Sequence, residues 1–160
     1  MGVTDDERGG NAAHRSLAVD TWEELFRAEV TVLRELSGDF PLHGLSFTDY
    51  DVLFNIARQP GRRLRLRDLN RHLLLTQPSV SRLVDRLVAR GCVTKQSDPG
   101  DGRGTIVALT DHGYQAFRRA AVVHAESITR RVGSALTDDE LTELARLTRK
   151  LRLGDDSPPE

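Results

Sequence analysis

The sequence has little cysteine and no long apolar run, and each absence excludes a class of protein. A single cysteine, Cys92, cannot form an internal disulfide framework, so the composition fits a reducing cytoplasm. No apolar run approaches the roughly 20 residues that a membrane-spanning helix needs. The polar, acidic residues 1–11 do not resemble a signal peptide. We therefore expect a cytoplasmic protein of about one domain that makes no membrane contact.

Catalytic and cofactor motifs are also missing. No nucleophile stands at motif spacing from a general base, and no glycine-rich loop has the spacing of a cofactor site. The five histidines show no metal-ligand spacing, and no second cysteine could assist them. The sequence therefore predicts a protein that is not an enzyme and that binds no metal and no cofactor.

Charge is distributed unevenly along the chain. Residues 58–104 hold eleven Lys and Arg against four Asp and Glu, a net charge of +7 within a chain whose total is −1. A basic middle between acidic ends is typical of an anion-binding module, although a solvated basic surface gives the same count.

Apolar periodicity and capping residues predict six helices, a short extended segment and a hairpin. Ser46 with Asp49, Thr110, and Thr137 with Glu140 are placed to cap the second, fifth and sixth helices. The first three helices are predicted through 22–36, from 46, and over 68–74, with an extended segment over 64–66 before the third. A fourth helix is predicted over 76–90, followed by strands over 92–96 and 105–109. The fifth and sixth helices are predicted over 110–132 and 137–153. We expect disordered tails over 1–12 and 154–160.

The fourth helix has an apolar face and a polar face. Val80, Leu83, Val84, Leu87 and Val88 follow the spacing of a buried stripe. Two short helices followed by a β-hairpin describe a winged helix-turn-helix, whose second helix lies in the major groove of DNA with its first residues at the base edges. The residues so placed are Thr76, Gln77, Pro78, Ser79, Ser81 and Arg82. An ordinary amphipathic surface helix would show the same two faces.

The glycine-rich segment 97–104 joins the two strands and is predicted to be the wing. An arginine at a hairpin tip can enter the minor groove, so Arg103 is the candidate probe and Asp101 the residue that orients it. The spacing lacks the lysine of a phosphate-binding loop and the alternating acids of a calcium loop. A plain exposed turn stays open as an alternative. Arg65, Arg86 and Arg90 are the candidate contacts to the DNA backbone.

Residues 64–113 closely resemble the MarR family of winged-helix regulators, through "QPSVSRLVDRLVARGCVTKQ" and "DPGDGRGTIVALTDHG". The resemblance implies a mainly α-helical fold with a small β wing. It also implies one regulator domain over 13–153, with dimerisation helices at 13–45 and 111–153 and a DNA-binding lobe at 46–110. Gly102 stands where many members carry a second arginine, and Asn70 where a small alanine is common.

Function follows from the same resemblance. It implies a homodimer that binds a palindromic operator in double-stranded DNA and releases it when a small aromatic or anionic effector binds. The candidate effector contacts are Trp22, His43, Tyr50 and His124. Two alternatives stay open: a winged-helix module that binds protein without specific DNA binding, and a regulator that senses oxidants through Cys92.

Overall fold

The structure is a computed structural model that describes the backbone of residues 5–73 and 75–154. The side chains of residues 5–12, His72, Gly102 and Arg103 lie outside this description. Within the described residues the helices are α1 (Asp5–Gly38), α2 (Phe47–Ala57), α3 (Leu66–His72), α4 (Gln77–Ala89), α5 (Asp111–Ile128) and α6 (Asp138–Leu153). The strands are β1 (Arg63–Arg65), β2 (Val93–Asp98) and β3 (Asp101–Leu109). The fold is therefore mainly helical with a small β-sheet, as predicted.

Local capping explains where most of these helices begin. Ser46 and Asp49 form a reciprocal capping box at α2, and Thr137 and Glu140 form another at α6. The Thr110 hydroxyl accepts a hydrogen bond from the backbone N–H of Gly113 at the start of α5. These three predictions are confirmed. The predicted cap of α4 is wrong in detail, because the Thr76 hydroxyl donates to the Ser79 hydroxyl at 2.9 Å and accepts no helix N–H.

The sheet is antiparallel in the order β1–β3–β2, and Arg65 of β1 pairs with Ile106 of β3. The connection between β2 and β3 is shorter than the predicted glycine-rich loop over 97–104. The strands run on to Asp98 and resume at Asp101, so that only two residues lie between them. Pairing continues almost to the tip because a register shift between Ser97 and Asp98 accommodates the irregular sequence.

The apolar core forms where α2, α3 and α4 pack against the sheet. Val80, Leu83, Val84 and Leu87 of α4 are buried, as their spacing predicts, whereas Val88 is 38% exposed. They join Leu45, Val52, Leu53, Ile56, Leu69, Val93 and Val107 in one apolar cluster. This core holds the opposite, polar face of α4 toward solvent beside the hairpin.

The chain divides into two compact units, residues 1–38 and 39–160. The first unit contains α1, which begins at Asp5 inside the segment predicted as a tail. The acidic residues there favour a helix N-terminus, which explains the earlier start. Residues 1–4 and 155–160 of the predicted tails lie outside the described residues. Among the described helices, none is long and apolar enough to cross a membrane.

Candidate nucleic-acid interface

The first turns of α4 present the polar side chains that the sequence places in the major groove. Thr76, Gln77, Pro78 and Arg82 are exposed, while Ser79 and Ser81 are half-buried. Ser79 links the ends of this group, since its hydroxyl accepts hydrogen bonds from Thr76 Oγ1 at 2.9 Å and from Arg82 Nη2 at 3.3 Å. The helix start therefore presents an ordered polar surface of amide, hydroxyl and guanidinium groups, the groups that form direct contacts with base edges.

Two of the predicted backbone contacts, Arg86 and Arg90, bind a carboxylate of their own chain. Arg86 Nη2 lies 2.6 Å from Asp49 Oδ1, and Arg90 Nη1 lies 3.0 Å from Asp49 Oδ2. Arg90 Nη2 also donates to the carbonyl oxygen of Gly44 at 2.7 Å. These contacts tie the second half of α4 to the start of α2 and to the loop before it. We call Asp49, Arg86, Arg90 and Gly44 the Asp49 cluster.

Asp49 is 3% exposed and is the buried centre of this cluster. Burial alone raises the pKa of its carboxyl group. Hydrogen bonds from Arg86 and from Ser46 outweigh that effect and bring the pKa of Asp49 below its ordinary value. The sequence predicted Asp49 only as a capping residue, because nothing local to α2 indicates its partners on α4.

Asp98 is a second buried carboxylate, 5% exposed, and it lies at the turn of the hairpin. Its Oδ1 accepts a hydrogen bond from the backbone N–H of Gly100 at 3.0 Å, and its Oδ2 lies 2.5 Å from Arg65 Nε. Arg65, predicted as a contact to the DNA backbone, is thus engaged within the chain. Asp98 was not predicted as a functional residue, although an aspartate followed by proline and glycine indicates a turn in which the aspartate side chain accepts a backbone hydrogen bond.

The two residues predicted at the wing tip, Asp101 and Arg103, both lie on β3. Asp101 Oδ2 is 3.6 Å from Arg67 Nη1, so an arginine at the start of α3 contacts it. The side chain of Arg103 lies outside the described residues, and its predicted contact with Asp101 stays a prediction.

A polar cleft of about 170 Å³ separates the wing from α3 and from the start of α4. It is lined by Arg65 of β1, by Asp98 of the hairpin and by Gln77, the first residue of α4. Asn70 also lines it, and Asn70 Oδ1 is buried with no hydrogen-bond partner. The cleft brings together residues from the two elements that the sequence assigns to neighbouring DNA grooves.

The four candidate effector residues occupy different surroundings. His124 and Tyr50 are buried neighbours in the second unit, with ring centroids 4.9 Å apart. Phe40 and Phe47 complete an edge-to-face cluster around the His124 ring. His43 is exposed, with a backbone φ of 50°. Trp22 belongs to the first unit, where it stacks on Phe26 with ring centroids 6.1 Å apart.

Burial changes the chemistry of two groups proposed for sensing. Burial lowers the pKa of His124 and so favours a neutral imidazole, although the nearby charge of Asp39 partly offsets this effect. The Nδ1 atom of His124 is buried and has no hydrogen-bond partner. Cys92 is 2% exposed, and burial raises the pKa of its thiol. Because the thiolate is the reactive form, this environment disfavours oxidant sensing by Cys92.

Comparisons with known proteins agree with this geometry. A family model described as the MarR family matches residues 43–104. The chain is 28% identical over 133 residues to the HTH-type transcriptional regulator YkoM of Bacillus subtilis, covering 83% of this chain and 84% of that protein. Several other relatives are named transcriptional repressors.

Two solved structures bear on DNA and ligand binding. Sco3205, a MarR family regulator from Streptomyces coelicolor in complex with DNA, has a TM-score of 0.72 and 26% identity, covering 98% of this chain and 92% of that one. BpsR of Bordetella bronchiseptica, whose DNA binding is regulated by 6-hydroxynicotinic acid, has a TM-score of 0.69 and 26% identity, covering 83% and 98%. YkoM and Sco3205 are both named as transcriptional regulators. The chain is therefore similar to the MarR family of winged helix-turn-helix transcriptional regulators, in sequence over residues 43–104 and in fold.

Proposed function

We propose that this protein is a cytoplasmic homodimeric repressor that binds a palindromic operator and leaves it when a small aromatic or anionic molecule binds. The observation that carries the proposal is the exposed polar start of α4 beside the β2–β3 wing. In this arrangement α4 lies in the major groove and the wing reaches the adjacent minor groove. The assignment of residues 46–110 to DNA binding, and of 13–45 and 111–153 to dimerisation, is part of the proposal.

Roles within the DNA complex follow from exposure. Gln77 and Arg82 read base edges, and Thr76, Pro78, Ser79 and Ser81 let the helix approach closely. Arg103 enters the minor groove with Asp101 beside it. Arg86 is 54% exposed at its side chain, so it can contact phosphate while it pairs with Asp49; Arg65 and Arg90, at 40% and 35%, have less free surface.

Effector binding is the second part of the proposal. His124 offers a buried Nδ1 without a hydrogen-bond partner among aromatic rings. An aromatic molecule with a hydroxyl or carboxyl group would supply both stacking and the missing partner. The regulation of BpsR by 6-hydroxynicotinic acid supports this chemical class. Tyr50 is the adjacent polar group, while His43 and Trp22 stay weaker candidates.

A footprint on the DNA upstream of the protein's own gene tests the proposal. We expect two protected half-sites about 10 base pairs apart, or a multiple of that spacing, and loss of protection when aromatic carboxylic acids are added. Gln77→Ala should change the base preference at one position in each half-site, by roughly 1–3 kcal/mol of discrimination, in a competition assay with randomised operators.

A matched control is Gln115→Ala, which removes an exposed glutamine from α5. It should leave the base profile unchanged. An unchanged profile for Gln77→Ala as well would exclude α4 from base recognition, and a single unpaired half-site would contradict the dimer.

A further inference from the structure

The wing is tied to the rest of the lobe by two arginine–aspartate pairs. Arg65, the last residue of β1, holds Asp98, and Arg67, at the start of α3, contacts Asp101. The Asp98 pair is the shorter and more buried of the two, with its carboxylate 4% exposed. It joins the turn of the hairpin to the junction that leads into α3.

Gly100 and Gly104 leave space for the Asp98 carboxylate, and this explains them better than a need for a flexible turn. A Cβ at Gly104 would lie 2.9 Å from Asp98 Cβ and 3.1 Å from the Asp101 carbonyl oxygen. A Cβ at Gly100 would lie 3.6 Å from both Arg65 Nη2 and Asp98 Oδ1. Neither glycine has a positive φ. The missing side chain at Gly104 is what lets the carboxylate reach its buried position.

We propose that Asp98 and Arg65 form a wing brace, in which Asp98 is a positioning residue that fixes the wing relative to α4 for binding to DNA. This inference rests on the proposed function, in which the wing contacts the minor groove. The cleft between wing and α4 is lined by both residues of the brace and by Gln77. A change in the Asp98–Arg65 contact therefore alters the spacing between the two DNA-contacting elements.

The brace gives Arg65 a role that differs from phosphate binding, and the two roles predict opposite results. If Arg65 braces the wing, loss of Asp98 and loss of Arg65 cause the same defect and the double variant is no worse. If Arg65 instead contacts phosphate, Asp98→Asn frees its guanidinium and leaves DNA affinity unchanged or higher.

The experiment compares Asp98→Asn, Arg65→Gln, the double variant, Arg65→Lys and Arg103→Ala in the full-length chain. Affinity for the duplex upstream of the protein's own gene is measured by anisotropy at several salt concentrations, and minor-groove protection by hydroxyl-radical footprinting. Circular dichroism melting shows that each variant is folded. Glu143→Gln, which removes an exposed carboxylate from an α6 ion pair, is the control.

We expect Asp98→Asn and Arg65→Gln each to weaken binding about 5- to 20-fold and to remove wing protection while α4 protection persists. The double variant should lie within about twofold of the singles, and Arg65→Lys should recover part of the loss. Since Arg65 is on the partly exposed side of the pair, Arg65→Gln keeps the test valid where Asp98→Asn fails to fold.

Two results would overturn the inference, and they differ. If Arg103→Ala removes wing protection and Asp98→Asn does not, the wing contacts DNA and the brace alone is wrong. If the wild-type protein leaves the minor groove beside the α4 site unprotected, the proposed contact of the wing with the minor groove is wrong, and the positioning role of Asp98 fails with it.

Discussion

Gly113 shows how one missing side chain sets the start of a helix. It is buried in the first turn of α5, where a Cβ would lie 1.9 Å from the carbonyl oxygen of Cys92. That same carbonyl accepts hydrogen bonds from the Thr110 backbone N–H and from its hydroxyl, both at 3.1 Å. The capped end of α5 is thus packed directly on the backbone that precedes β2.

Gly113→Ala should be strongly destabilising, because rigid backbone rather than a flexible side chain occupies the space. We expect a loss of roughly 2–4 kcal/mol in the free energy of unfolding, measured by urea denaturation. Gly133→Ala is the control, since its nearest neighbour would be Thr129 Cγ2 at 3.6 Å. A loss below about 0.5 kcal/mol for Gly113→Ala would contradict the close approach.

Among the elements, α4 is held in place by apolar packing and by ion pairs. Its apolar stripe packs into the core, whereas Arg86 and Arg90 reach the buried carboxylate of Asp49 on α2. Lys95 of β2 contacts Asp85 of α4 at 2.5 Å, which also links the helix to the wing. The orientation of α4 therefore depends on ion pairs as well as on apolar packing.

Asp49→Asn should lower stability at neutral pH by about 1–2 kcal/mol, since it removes the charge that two arginines pair with. The folded-state pKa of Asp49 lies below the unfolded value of about 3.9. The stabilisation is therefore complete above about pH 5 and is lost as the pH falls through 4 and below, by about the same amount. The difference between wild type and variant should shrink over that window in urea unfolding.

Asp85→Asn is the matched control, because its carboxylate also pairs with a cation but is 64% exposed. It should change stability much less at every pH. A pH-independent difference for Asp49→Asn would show that its charge does not stabilise the fold.

For the whole molecule, the important feature is apolar surface left uncovered. No residue of α6 is buried, yet its sequence is amphipathic. Leu144, Leu147 and Leu151 are 42%, 46% and 68% exposed, and they lie on one side of the helix. On α1, Leu17, Trp22 and Phe26 are also exposed. Exposed apolar side chains along one side of a helix are typical of a protein–protein interface, which supports the proposed homodimer.

Leu147→Glu with Leu151→Glu should place charge in that interface and shift the protein from dimer to monomer, measured by analytical ultracentrifugation. Operator affinity should fall at least tenfold, because two linked lobes bind far more tightly than one. Thr142→Glu adds a charge to the opposite side of α6 and should leave the dimer intact. A wild-type chain that sediments as a monomer at micromolar concentration would contradict the proposal.

Local sequence by itself determined the helices, the hairpin and the polar face of α4. Caps such as Ser46 with Asp49 and Thr137 with Glu140 act over three residues, and the buried stripe of α4 follows from helical periodicity alone. Interactions of this range are visible in the order of residues, so the winged helix-turn-helix could be predicted before any packing was known.

Tertiary structure alone decided which charged groups meet. Asp49 pairs with Arg86 and Arg90, which are 37 and 41 residues away in sequence, and Asp98 pairs with Arg65 on another strand. The sequence contains enough arginines near the middle of the chain to allow many pairings. Only the packing of α2 on α4, and of β1 against the hairpin, brings particular carboxylates within 3 Å of particular guanidinium groups and removes water from them. For that reason the sequence predicts these arginines as contacts to DNA, whereas the structure shows that they pair with carboxylates of their own chain.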